Sequence, residues 1–460
     1  MVEQNQIDLI VAAGCVITMD DDRRILLDGA VAVRGQDIVA VGKASEIKRA
    51  WNAKRVVDLP DSVLTPGLID IHNHPADFLP KGLIDDQQQA ARLKNIIIPY
   101  EDGLTEDDVY VASVANFHAM IRHGTTTYLD AGSPHPSAVG LAVIHTGIRG
   151  TLASKTSDIV GPFGGEVQTT EGALALADKI FEEFHGASDG RVRVFFDIDQ
   201  IAGASDALAK GIRDRSQRTG VGIVSHLVER RPEGDVSGFR NPNVKRLNDL
   251  GLIGPHMVLT HIGWLPEADV ELIGKAGTNI AHCAAASLFG GNGWVSHGVI
   301  PELVEAGANI ALGTDAVVIS RFLDMLRLMH LTSVAHKDAR RRPDLFPAHE
   351  VLEMVTLNAA KAMGLSDRIG SIEVGKAADL AVFDASEWRP WAHANPVSDL
   401  VYSGAGSKVD LVVIDGKVVH EAGRYVYDFD IGAVLKRVDK AADAAVGRLG
   451  IKPTSRWPIL

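Results

Sequence analysis

Thr65-Pro66-Gly67-Leu68-Ile69-Asp70-Ile71-His72-Asn73-His74 decides how this 460-residue chain is read. The apolar run from Leu68 to Ile71 predicts a buried strand. Side chains two apart on a strand share a side, so His72 and His74 converge at its C-terminal end. In a parallel α/β barrel that end carries the active site. Outward from this segment, short β-branched runs alternate with amphipathic helical stretches, which is the pattern of such a barrel. Candidate strands are Gly67 to His72, Gly124 to Asp130, Gly150 to Ser154, Val192 to Asp197, Val221 to His226, Met257 to His261, Asn279 to His282 and Asn309 to Thr314. That makes eight, the number a closed barrel needs.

Three further strand ends carry ligand-type residues: His226 with Glu229 in the loop after it, His261, and Asp315 directly after Gly313-Thr314. Each has a plain explanation on its own. Asp315 can cap a helix, His261 can be a core histidine, and Glu229 can pair with Arg230 or Arg231. Their shared position at one barrel mouth, with His72 and His74, is what a metal site requires.

Composition narrows the partners. Lys and Arg number 46 against 59 Asp and Glu, a net charge of −13, which argues against nucleic acid and anionic membranes as partners. Only Cys15 and Cys283 occur, so imidazole and carboxylate must hold any metal, and 17 histidines are available. No signal-like start and no long uncharged apolar run occurs. The expectation is a cytoplasmic protein that takes a small-molecule substrate.

The two ends of the chain share a β-rich grammar: Asp8 to Val16, Gly29 to Val33 and Asp37 to Val41, then Leu380 to Phe383, Asp410 to Ile414 and Val418 to Glu421, with Asp415-Gly416 as a hairpin signal. The fold expected is α/β, a (β/α)8 TIM-like barrel with a small composite β-sandwich built from both ends. Its pieces are residues 1–65 and 370–430 for the sandwich, 66–369 for the barrel, and 431–460 for a C-terminal helix and tail. Gly370 to Ala377 nearly matches a phosphate-binding loop, but Ala377 stands where Ser or Thr is needed and a strand follows instead of a helix. Gly186-Ala187-Ser188-Asp189-Gly190 fits a nucleophile elbow as a string, yet it follows a helix and precedes a strand, so it reads as a loop.

The Thr65–His74 segment, His226-x-x-Glu229, His261 and Gly313-Thr314-Asp315 together resemble the amidohydrolase superfamily. The nearer resemblance is to its triazine hydrolase, chlorohydrolase and cytosine/guanine deaminase branch, and Gly370 to Leu380 looks like the strand pair that closes this family's β-domain. The resemblance implies that His72, His74, His226 and Asp315 bind one divalent metal, Zn²⁺ foremost, with Fe²⁺ or another divalent ion as alternatives. It implies Glu229, His261 and Asp315 as catalytic residues and a homodimer or larger homo-oligomer. An open position on three imidazoles and a carboxylate lowers the pKa of bound water to about 7, giving hydroxide that attacks a C–N carbon. The strand from Arg191 to Gln200 carries no lysine for a second metal, and Lys155 is the nearby alternative.

Departures from the deaminases set the expected substrate. No histidine follows the fourth strand in Asp197 to Ser205, and His282-Cys283-Ala284-Ala285-Ala286-Ser287 and Ala316-Val317-Val318-Ile319-Ser320 are nearly apolar. A pocket short of polar partners leaves ring nitrogens unpaired, at about 1–3 kcal/mol each. Hydrolysis of a rather apolar amide, urea or carbamate, such as an aryl urea, is therefore expected. The alternatives are an aminohydrolase of a purine, pyrimidine or triazine ring, and a non-catalytic assembly protein on the same fold. Trp264, Ser287, Ser320 and Phe322 are expected substrate contacts, and the Gly-rich loop with Phe289 and Trp294 is a candidate lid.

Overall fold

The computed structural model describes residues 5–227, 241–388, 395–450 and 457. Both chain ends feed one eight-stranded sheet. Its strands are β1 (Gln6–Ile17), β2 (Ile25–Arg34), β3 (Asp37–Lys43) and β4 (Asn52–Pro66) from the N-terminal side. The barrel region intervenes with β5 (Leu68–Asn73), β6 (Thr125–Asp130), β7 (Arg149–Leu152), β8 (Val192–Val194), β9 (Phe196–Gln200), β10 (Ile223–His226), β11 (Met257–Thr260), β12 (Asn279–His282) and β13 (Asn309–Leu312). β14 (Leu380–Asp384), β15 (Val409–Ile414), β16 (Lys417–Glu421) and β17 (Arg424–Tyr425) then complete the sheet in the order β17-β16-β15-β14-β4-β1-β2-β3.

The two halves join where β14 runs antiparallel to β4. Residues 375–378 add a second seam, because Gly375 N donates to Ile38 O at 2.9 Å and Ala378 N to Gln36 O at 2.8 Å. The false phosphate loop is thus a run of chain stitched to β3. One apolar cluster takes Leu9, Val31 and Val33 from the first half and Leu380, Leu411 and Val413 from the second. Asp415 and Gly416 both have positive φ, 54° and 76°, as the tight turn between β15 and β16 demands.

The barrel strands form two parallel sheets, β5-β6-β7-β8 and β9-β10-β11-β12-β13. β8 and β9 are one strand position interrupted at Phe195, so the fourth expected strand is split. At the other seam Asp315 N donates to His72 O at 2.8 Å, bringing the end of β13 against β5. This is the ring order of a (β/α)8 barrel. Its strands are buried on both faces, which is why they read as continuous apolar runs.

Arg149 of β7 ties barrel to sheet. Its buried guanidinium donates to Asp379 at 2.7 and 3.0 Å and to Asp415 at 2.9 Å. The helices Ile431–Leu435 and Val438–Arg448 then pack back on Glu106–Arg122, with Arg437 and Arg448 paired to Asp107 and Asp108. Among the described residues no helix is long and apolar enough to cross a membrane.

Candidate metal centre and active site

The β5 histidines come together with His226, His261 and Asp315 at one end of the barrel. Nε2 of His74 and Nε2 of His226 stand 3.3 Å apart, and Asp315 Oδ1 lies 3.7 Å from His74 Nε2 and 4.0 Å from His72 Nε2. Donor atoms held at about 2.1 Å around a tetrahedral ion are about 3.4 Å from each other, so these separations fit one divalent metal. His72 Nε2 is buried without a hydrogen-bond partner among the described residues. His226 Nδ1 donates to the Asp199 carbonyl at 2.7 Å, which leaves its Nε2 lone pair facing His74. His72 Nδ1 pairs with Thr260 Oγ1 at 3.0 Å, an outer contact of the kind that orients metal-binding imidazoles.

The electrostatics keep the ligands in the state a metal needs. Burial, reinforced by the neighbouring imidazoles, depresses His72 strongly and brings His74 to about 3. Both rings are therefore neutral, with lone pairs available. His261 is depressed by burial, by His226 and by Arg92.

Local backbone geometry enforces the convergence. His261 and Asp315 both adopt positive φ, 62° and 64°, a conformation that costs non-glycine residues about 1–3 kcal/mol and collects at functional sites. A Cβ at Gly313 would meet His72 Cβ at 2.6 Å, so only glycine lets this turn lie against β5. Asn73 Nδ2 donates to Thr314 Oγ1 at 3.0 Å and to Asp315 O at 3.1 Å, and Asn116 Nδ2 donates to Asn73 Oδ1 at 2.8 Å. Below them Asp70 accepts from Thr314 N at 3.0 Å, and burial raises its carboxyl to about 7.

His261 Nε2 is 3.5 Å from Asp315 Oδ2, and the Trp294 ring stacks on its imidazole at 4.7 Å. Cys283 also lies within reach of His72 and Asp315, but burial pushes its thiol up and keeps it protonated. Glu229 lies outside the described residues.

The expected substrate contacts fare less well. Trp264 lines an outer cleft of about 450 Å³ that shares Gln89 and Trp294 with the inner cavity. Ser287 Oγ instead accepts from Val295 N at 3.2 Å, and Ser320 Oγ donates to Phe322 O at 2.9 Å. Both hydroxyls serve local backbone at short helices, Ala284–Gly290 and Val317–Ser320. Phe322 lines a separate cavity, under the guanidinium of Arg327.

The inner cavity sets polar side chains among apolar ones such as Leu93, Ile97, Phe163 and Ile319. Gln89, Arg92, Asp77, Glu101, Lys155 and Gln200 line it beside the histidines. Lys155 pairs with Glu101; burial lowers its pKa but Glu101 and Asp199 outweigh that, so its amine stays charged. Burial and then Glu101 push Asp77 up. The lining residues include Gln89, Arg92 and Glu101 from the helical run between Gln89 and Asp102, and nothing local in its sequence signals that it roofs the barrel mouth.

The amidohydrolase family model matches residues 63–419. A 5-methylthioadenosine/S-adenosylhomocysteine deaminase of Syntrophobacter fumaroxidans is 33% identical over 94% of this chain and 97% of its own length. A 5′-deoxyadenosine deaminase of Methanosarcina barkeri is 32% identical over 96% of this chain and 99% of its own. Among solved structures, an adenosine deaminase from Xanthomonas campestris with bound zinc superposes with a TM-score of 0.87 at 26% identity, covering 96% of this chain and 99% of that one. A zinc-bound atrazine chlorohydrolase from Arthrobacter aurescens shares the fold, with a TM-score of 0.84 at 22% identity over 94% of this chain and 100% of that one.

Proposed function

From the premise that the chain belongs to the amidohydrolase family, hydrolases of carbon–nitrogen bonds other than peptide bonds, we propose that it is a zinc-dependent aminohydrolase. It replaces the exocyclic amino group of a nitrogen heterocycle by oxygen and releases ammonia. The observation that carries this is the meeting of His72, His74, His226 and Asp315 donor atoms at metal-binding separations beside a cavity that Gln89, Arg92 and Gln200 also line. Relatives named as deaminases along nearly their whole length favour ring deamination over aryl urea hydrolysis. Gln89 and Gln200 offer the ring-nitrogen partners that the sequence alone had left missing.

His72, His74, His226 and Asp315 would hold one zinc ion, and Lys155, kept as a charged amine by Glu101, is not available to bridge a second. When bound, the ion supplies Lewis-acid activation of water, lowering its pKa to about 7. Asp315 accepts the proton of the attacking water through the carboxylate that faces His261. Neutral His261, held flat by Trp294, donates a hydrogen bond to negative charge developing on the ring. Glu229, three residues after His226, carries a proton to the leaving nitrogen so that it departs as ammonia.

A coupled ammonia assay on zinc-loaded protein tests this, with adenosine, 5′-deoxyadenosine, 5-methylthioadenosine, guanine, cytosine and aminotriazines set against aryl ureas and anilides. Ammonia from at least one amino-heterocycle, abolished in His72→Ala, is expected. Amine release from ureas or anilides, with no ammonia from any ring, would overturn it.

A further inference from the structure

Arg92 is a cavity residue that the chemistry above leaves unused. It is only 2% exposed, yet Nε and Nη1 find no hydrogen-bond partner among the described residues. It lines the same cavity as His74, His226, His261 and Asp315. Glu101, the nearby carboxylate that could neutralise a cation, is already paired with Lys155. A buried guanidinium with no hydrogen-bonded carboxylate among the described residues destabilises the free protein, so its retention points to a compensating group that arrives with the ligand.

Its surroundings are arranged to admit such a group. A Cβ at Gly290 would meet Arg92 Nη2 at 2.6 Å and Nη1 at 2.8 Å, so the glycine leaves the space the guanidinium occupies. Gln89 sits one turn earlier on the helix Gln89–Arg92 and also lines the cavity, placing two donors on one helix face. Directly after Arg92 the chain enters a wide π turn, Leu93–Ile97, a feature frequent at functional sites. Arg92 is close enough to the reacting groups that its charge acts on His261 and is felt from Asp315.

We infer that Arg92, with Gln89 beside it, receives an anionic oxygen group carried on or next to the ring being hydrolysed. The planar guanidinium fork suits a carboxylate or an ionised ring oxo group, which it can grip through two parallel N–H donors. Because the charge lines the same cavity as His261 and Asp315, the anion belongs to the ring and not to a distant tail. This inference rests on the aminohydrolase reading for the identity of the ring, but its test does not depend on turnover.

Isothermal titration of the zinc-loaded protein with benzoate and its neutral counterpart benzamide, and with cyanurate and its neutral counterpart melamine, is the experiment. At least one anion binds tenfold or more tightly than its neutral counterpart. In Arg92→Gln that preference falls below threefold with the neutral ligand unchanged, whereas Arg92→Lys keeps part of it. A preference for benzoate assigns a carboxylate and one for cyanurate a ring oxyanion. Thermal melting adds a second readout: Arg92→Gln melts at or above the wild-type temperature, because an unpaired buried charge has gone. The proposal is overturned by equal binding of anions and neutral ligands to the wild type, by a preference that survives in Arg92→Gln, or by a clear fall in its melting temperature. No ammonia from any heterocycle, with the anion preference intact, would overturn the assigned reaction and leave the anion site standing.

Discussion

Gly313→Ala adds one carbon at the turn that presses the metal-site loop against β5. That carbon would lie 2.6 Å from His72 Cβ and 3.0 Å from both His72 N and His72 O. Ordinary contact begins at 3.4 Å, so loop and strand must part by about 0.8 Å, several times the roughly 0.2 Å tolerance of metal–ligand distances. The hydrogen bond from Asp315 N to His72 O has to stretch with them. Because both residues belong to the candidate ligand set, zinc affinity should fall about 10–100-fold, and kcat/KM on any substrate found by about 100-fold. Overpacking should also cost about 1–3 kcal/mol of stability. Gly140→Ala is the control: its Cβ meets Phe184 Cε1 at 2.4 Å, far along the sequence from the site and against a side chain that can swing aside. It should perturb melting while leaving zinc affinity and kcat/KM unchanged. Competition with a chromophoric chelator measures the affinity, and urea unfolding the stability. A Gly313→Ala protein that binds zinc and turns over like the wild type would refute this account of the turn.

Three further outcomes follow from other parts of the fold. Arg149→Met strands the buried carboxylates of Asp379 and Asp415 and should destabilise by about 3–5 kcal/mol in urea unfolding, with much of that regained on adding Asp379→Asn and Asp415→Asn; a loss below about 1 kcal/mol would contradict the bridging role. Thr260→Val keeps the shape beside His72 but removes the partner of Nδ1, so zinc affinity should drop about 10–100-fold with little change in melting. Burial pushes the Cys15 thiol up to about 12 and raises Cys283 as well; a thiol reagent at pH 8 should label neither in the native protein and both after unfolding, and fast native labelling of either would show that it is accessible.

The sequence carried the barrel and its histidines because each sits at the end of a short apolar strand, where period-two alternation and a change to polar residues coincide. Asp415-Gly416 was legible for the same local reason, as was the strand grammar at both chain ends. Arg92 and Glu101 were not, and Lys155 and Trp294 were legible only as a second-metal candidate and a lid residue. Each comes from a helix or loop whose closeness to β5 is a product of tertiary folding, and a lone arginine on a helical stretch looks like any solvated face. The forecast of an apolar substrate, which the deaminase relatives favour less than its alternative, ran short in the same way. It counted residues missing from the strand ends, passed over Gln200 at the end of β9, and could not count Gln89 and Arg92, which arrive from a helix. Ser287 and Ser320 show the other use of a hydroxyl in a short helix beside a site, since each also bonds local backbone.

The central claim is that four side chains, from the end of β5, from β10 and from the turn after β13, build a single metal site on which hydrolysis depends. Elemental analysis of the purified protein, alongside ammonia release on the same sample, tests it most directly. One equivalent of zinc or another divalent ion per chain is predicted, with metal and activity lost together in His226→Ala and Asp315→Ala while the far-ultraviolet circular dichroism is retained. Full activity in metal-free protein, or metal kept at one equivalent in both variants, would contradict it.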